Sequence, residues 1–133
     1  LFIIKMEGDN MDCIFCKIIS GEIPSYTIYE DEIVKVFLDI HPDSNGHLLI
    51  IPKQHILDLD SMEENTWIHI LKIAKEMKKL LEETLNIDGL TLIQNNGMVQ
   101  EVKHFHLHVK PYYKDPKAII PVEEIYQKIK EHM

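Results

Sequence analysis

The chain has 133 residues, with 14 Lys and Arg against 22 Asp and Glu, for a formal net charge of −8. At 45% hydrophobic and 27% charged residues it has the composition of one globular domain with a real core. The acidic balance argues against a nucleic-acid partner, which needs a positive footprint, and no apolar run approaches the ~20 residues of a membrane span. A small anion held in a local pocket remains compatible with both facts.

Taken in order, Leu1-Phe2-Ile3-Ile4 is too short for the apolar region of a signal peptide, and no small-residue cleavage site follows. Residues 1–10 are expected to be a poorly ordered extension, and residues 11–133 a single domain. Cys13 and Cys16 are the two cysteines. Without an export signal they point to a reduced, cytoplasmic setting rather than a disulfide scaffold. Lys17 to Gly21 reads as a short turn of helix ended by glycine. Residues 25–30 and 33–39 are β-branched and aromatic runs split by Asp31-Glu32, which predicts a hairpin. A turn-rich stretch, Asp39 to Gly46, leads into the apolar run His47-Leu48-Leu49-Ile50-Ile51, a buried strand stopped by Pro52.

Ser61-Met62-Glu63-Glu64 has the form of a capping box. Behind it Trp67, Ile70, Leu71, Ala74, Met77, Leu81 and Leu85 recur at helical spacing, with Lys72, Lys75, Lys78 and Lys79 opposite. This predicts one long helix packed on the sheet, with Trp67 and Met77 as core. Residues 90–94 form a further strand, followed by the turn Asn95-Asn96-Gly97. Its return partner is His104-Phe105-His106-Leu107-His108-Val109, and the short connection makes the two antiparallel neighbours. Residues 111–116 read as a turn region and 121–132 as a second amphipathic helix.

The alternation over 104–109 carries the chemistry. On a strand, successive side chains point to opposite faces, so Phe105, Leu107 and Val109 enter the core and three imidazoles line the other side. Threonine, lysine or glutamate would solvate a surface equally well, so a merely wet face does not explain the row. Binding all three imidazoles to one catalytic metal would need strong bending. A nucleophilic row needs only that one imidazole be neutral and have its second nitrogen fixed, with a neighbour to stabilise charge or protonate a leaving group. Cys13-x-x-Cys16 is half of a tetrahedral zinc site, with His55 and His104 as candidate partners. Inert cysteines and a redox pair are the alternatives, although the strand-then-helix setting of a thioredoxin-like pair is absent. His41, His69 and His132 read as surface or capping residues.

Several stretches together resemble the histidine triad family of nucleotide hydrolases and transferases. They are Cys13-Ile14-Phe15-Cys16-Lys17-Ile18, Phe37-Leu38-Asp39-Ile40, Gly46 to His55, Asn95-Asn96-Gly97, and the triad His104 to Val109 followed by Pro111. The resemblance implies an α+β fold with an antiparallel sheet of about five strands, and a homodimer. It implies that His106 attacks the α-phosphate of a purine nucleotide and is transiently nucleotidylated before water releases the monophosphate. His108 would contact the phosphate and His47 would support the same site. Asp39 would hold the ribose, Ile40 would lie against the base, and Asn95 and Gln100 would meet the phosphate or leaving group. In zinc-bearing members the ligands match Cys13, Cys16, His55 and His104. A non-catalytic nucleotide-binding or adaptor protein on the same fold is the alternative.

Two departures stand out. Lys110 replaces the final apolar residue of the triad signature. Glu101 falls where serine or threonine would donate to the leaving group, and an ionised carboxylate only accepts hydrogen bonds.

Overall fold

A computed structural model describes residues 12–133; the expected extension over 1–10 lies outside the described residues. Five strands, β1 (Thr27–Glu30), β2 (Val34–Leu38), β3 (Leu48–Pro52), β4 (Gly89–Gln94) and β5 (Leu107–Tyr112), form one sheet in the order β1-β2-β3-β5-β4. Every neighbouring pair is antiparallel. Among the described residues three α-helices accompany it: α1 (Ile14–Ser20), α2 (Glu64–Leu85) and α3 (Val122–His132). The α+β architecture expected from the sequence, five strands under one long helix with a C-terminal helix, is the one observed.

Strands β2 and β3 are buried on both faces, and apart from Lys35, whose Nζ donates to the Ile18 carbonyl, and Pro52 they read as runs of large apolar residues. Val34, Val36, Leu38, Leu48 and Ile50 join Phe105, Leu107 and Val109 against Ile70, Ile73, Met77 and Leu81 of α2 and Ile125 and Ile129 of α3. Phe37, Leu49 and Ile51 point the other way and meet Cys13, Phe15 and Ile18 around α1. Phe105, Leu107 and Val109 are at most 2% exposed. Burying each contributes roughly 1.5–3 kcal/mol. A one-residue slip would expel all three, so their burial holds the histidines on the opposite face.

Four local expectations change. The regular strand begins at Leu107, because the Phe105 N–H donates to the Ile56 carbonyl (2.6 Å) and not to a neighbouring strand. The alternation of side chains nevertheless continues back through His104. Strand β5 runs on through Pro111, which pairs with Leu90, to Tyr112, so the turn expected from 111 starts later. Helix α1 starts at Ile14, one turn earlier than expected, with the Cys13 Sγ accepting the Cys16 N–H at 3.3 Å. The capping box does not form: α2 begins at Glu64 after Glu63, which makes no side-chain cap, and Ser61 bonds to Asp58 instead.

One glycine is required by the fold. Gly46, with φ +92°, launches β3 where a Cβ would lie 2.6 Å from the Leu85 Cδ1. The close approach lets the end of α2 pack beneath the turn that presents His47.

Candidate active site

The row of imidazoles is held by partners that settle its tautomers. His106 is 5% exposed, and its Nδ1 lies 2.8 Å from the carbonyl oxygen of His104. A carbonyl only accepts, so Nδ1 carries the proton and Nε2 keeps its lone pair. Burial lowers the basicity of His106, while the His104 carbonyl and the charges of Asp39 and Glu101 oppose that effect. The ring of Phe15 stands edge-on to it, with centroids 5.1 Å apart.

A second chain of bonds fixes His108. The backbone N–H of Asp43 donates to the Nδ1 of His47 at 3.1 Å. His47 therefore carries its proton on Nε2, which lies 2.9 Å from the Nδ1 of His108. His108 accepts there and bears its own proton on Nε2, so it is a hydrogen-bond donor beside His106. Their ring centroids are 4.9 Å apart. Burial, with the neighbouring His106, His47 and Lys110, pushes the pKa of His108 down to about 4. Burial also lowers that of His47, against the pull of Asp39 and Asp43.

These groups open onto a cavity of about 450 Å³. Ile14, Phe15 and Ile18 of α1, with Ile23, Phe37, Leu49, Val99 and Val102, supply its apolar wall. Asp39, Ile40, His47, Asn95, Glu101, His106 and His108 all line it. Asp39 accepts the His41 N–H at 2.8 Å and places its other oxygen 3.6 Å from the His47 Nε2. Ile40 is 63% exposed, leaving an apolar side chain at the rim. Gln100 is not brought in: it is 3% exposed, is absent from the cavity lining, and its Nε2 donates to the Leu57 carbonyl at 2.7 Å.

Behind His106, Cys13, Cys16, His55 and His104 converge, with all four donor atoms within 4.8 Å of one another. The His104 Nδ1 lies 3.3 Å from the Cys13 Sγ and 3.2 Å from the His55 Nδ1, and the Cys16 Sγ lies 3.2 Å from the His55 Nδ1. Ligands at zinc distances in a tetrahedron stand roughly 3.3–3.8 Å apart, so the set has the right size and chemistry. The His104 Nε2 lies 2.9 Å from the Pro52 carbonyl, which fixes the proton there and turns Nδ1 toward the thiols. Burial and the adjacent Cys13 push the Cys16 thiol up to about 12, a cost that a bound cation would remove.

A HIT domain model matches residues 20–115. The chain belongs to the HIT family. It is 42% identical over 115 residues to an uncharacterized HIT-like protein of Methanocaldococcus jannaschii, covering 85% of this chain and 88% of that one. It is 39% identical over 110 residues to an adenosine 5'-monophosphoramidase of Saccharomyces cerevisiae, covering 81% and 67%. In structure it is similar to a Zn-bound histidine triad family protein from Mycobacterium smegmatis, with TM-score 0.83, 34% identity and coverage of 92% and 93%.

Sequence reasoning missed part of this HIT site. Phe15 and Ile18 of α1, and Phe37 and Leu49 in the sheet, belong to the cavity wall. Their signal was available in the double-sided apolar pattern of β2 and β3, which demands a second covering layer. His41 is exposed, as expected, and also lines the cavity. His69, expected as a surface or capping residue, is half-buried, lies 2.7 Å from the Asp31 Oδ2 and ties the β1–β2 turn to α2.

Proposed function

We propose that this HIT protein is a nucleotide hydrolase or nucleotidyl transferase that cleaves at the α-phosphate through a nucleotidyl-His106 intermediate. The observation that carries the reading is the bond from the His106 Nδ1 to the His104 carbonyl, beside a His108 that presents a proton. The apolar wall suits a purine base, with Ile40 against it, and Asp39 suits the ribose hydroxyls. Asn95 lies where it can meet the phosphate or the leaving group. Gln100 could contribute only after releasing Leu57.

With the phosphate so placed, the Nε2 lone pair of His106 forms a bond to phosphorus. The bond from phosphorus to the leaving group breaks, and its electron pair departs with that group. The ring becomes cationic, and its Nδ1–H bond to the carbonyl strengthens as charge develops, which is where stabilisation accelerates a reaction. The His108 Nε2–H donates to a phosphate oxygen, and His47 holds His108 in that tautomer. Water then bonds to phosphorus and loses its proton to solvent. The phosphorus–nitrogen bond returns its pair to His106, and a nucleoside monophosphate leaves. An alcohol or amine in place of water would make the same step a transfer.

Cys13, Cys16, His55 and His104 would hold a zinc ion. Such an ion supplies no chemistry to the step above; it cross-links α1 to the segment bearing the triad. Reduced thiols at these positions suit a cytoplasmic setting, and none of the described helices is long and apolar enough to cross a membrane. A homodimer is also part of the proposal, supported by the edge position of β4 and the exposure of Leu92 on it; light scattering at micromolar concentration tests it.

Glu101 at the cavity supports one second reading, a nucleotide-binding adaptor without turnover, because its carboxylate would repel phosphate. Alkaline denaturing quench of protein mixed with AMP-labelled substrate, which preserves a phosphorus–nitrogen bond, separates the two. Label covalently attached at His106, absent from His106→Ala, is expected. Binding without label or monophosphate release would leave only the adaptor.

A further inference from the structure

Lys110 continues the histidine row. Side chains 104, 106, 108 and 110 share one face, and Lys110 pairs across the ladder with Thr91. It lines the nucleotide cavity, and its Nζ lies 2.6 Å from an Asp43 oxygen. A second cavity of about 420 Å³ shares Asp43 and Lys110 with the first, and adds Thr91, Tyr113 and Lys117. The two spaces therefore meet at a lysine two residues beyond His108. Asp43 is 63% exposed, and an ion pair so open to water adds little stability. Stability does not account for a cation at a position on the wall of both cavities.

We propose that Lys110 and the second cavity form a subsite for a phosphate-bearing leaving group, selecting nucleotides whose α-phosphate is joined by an anhydride to further phosphate. This rests on the nucleotidyl-transfer reading of His106. The chemistry of departure explains the selection. When an anhydride is cleaved, the bridging oxygen keeps the electron pair and leaves as a phosphate anion. It needs a counter-charge and no proton. When a phosphoramidate is cleaved, nitrogen leaves with the pair, takes up a proton from solvent water and departs as a neutral amine or ammonia. A fixed ammonium beside the exit lowers the first barrier selectively. Asp43 keeps the lysine aimed until phosphate replaces it, and Lys117 adds a second positive charge further out.

The test compares diadenosine triphosphate with adenosine 5'-phosphoramidate on the full chain. Lys110→Met should lower kcat/KM for the triphosphate about tenfold to a hundredfold more than for the phosphoramidate, the worth of a hydrogen bond to a charged group. Lys110→Arg should keep most of the wild-type ratio. Equal losses on both substrates, or none on either, would overturn the subsite. Release of AMP from the phosphoramidate by wild-type protein, with label on His106, shows that His106 still reacts and so confines such a failure to Lys110.

Discussion

The carbonyl oxygen of His104 lies 2.8 Å from the Nδ1 of His106, while the ring of the same His104 faces Cys13 and Cys16. One residue thus ends the Cys–His cluster and sets which nitrogen of its neighbour is free to react. The proposed nucleophile is therefore oriented by backbone, which a side-chain substitution at 104 cannot delete but a shift of the cluster can move.

Replacing His106 tests the covalent reading most directly. Asparagine fits the buried site and can donate its amide N–H to the His104 carbonyl, so His106→Asn should fold and bind nucleotide. It has no ring nitrogen to attack phosphorus. We expect nucleotide affinity within about threefold of wild type and a loss of kcat of at least ~10⁴, the scale set by removing a nucleophile. Equilibrium binding and single-turnover assays measure the two separately, and near-normal turnover would refute the role.

Removing the proposed zinc should act through α1. Phe15 is edge-on to both His104 and His106, with centroids 5.8 Å and 5.1 Å apart, and Ile14 and Ile18 line the cavity. Zinc lost to a chelator, or ligands lost in Cys13→Ala with Cys16→Ala, should free this helix before the sheet. Hydrogen exchange should rise first at residues 13–20, and KM should rise more than kcat falls. Abolished kcat with α1 still protected would indicate a metal acting on the reaction itself.

The fold was legible because its rules are local. Alternation in 104–109, double-sided runs in β2 and β3, and helical spacing behind Trp67 each name a buried face without knowledge of its partner. The Cys13, Cys16, His55 and His104 set was legible in part, since two cysteines at that spacing leave two ligands to be found. Gln100 was not legible. Its side chain answers to the carbonyl of Leu57, and nothing in the sequence predicts which backbone acceptor a loop will leave open. The capping box failed for a similar reason: Ser61 has a nearer acceptor in Asp58, which organises its own short turn.

Glu101 lines the cavity and its charge favours the protonated form of His106. A carboxylate there disfavours incoming phosphate and cannot donate to a departing group. Glu101→Ser removes the repulsion and adds a donor, so the gain should be larger for a dinucleoside polyphosphate than for adenosine phosphoramidate. A change in the ratio of kcat/KM of about threefold is expected, within the range of up to ~1 kcal/mol that one exposed charge contributes. An unchanged ratio would mean that the side chain turns away from the leaving group.

Acid should destabilise the protein through the same histidines that serve the site. His108 has a folded pKa of about 4 against an ordinary value of 6.5, because burial, with His106, His47 and Lys110 close by, opposes a charge there. Between those values the unfolded chain binds a proton that the folded chain refuses. Stability therefore rises with pH in this window: it is full above about pH 6.5 and falls as pH drops toward 4. His47, lowered in the same direction, adds to the slope. In His108→Asn that contribution is gone, so the decline in urea midpoint from neutral pH to pH 4.5 should be shallower than in wild type. The two curves should converge, or cross, on the acid side. An identical slope in the two proteins would mean that His108 is protonated in the folded state near neutrality, and that it does not hold the donor tautomer on Nε2 alone.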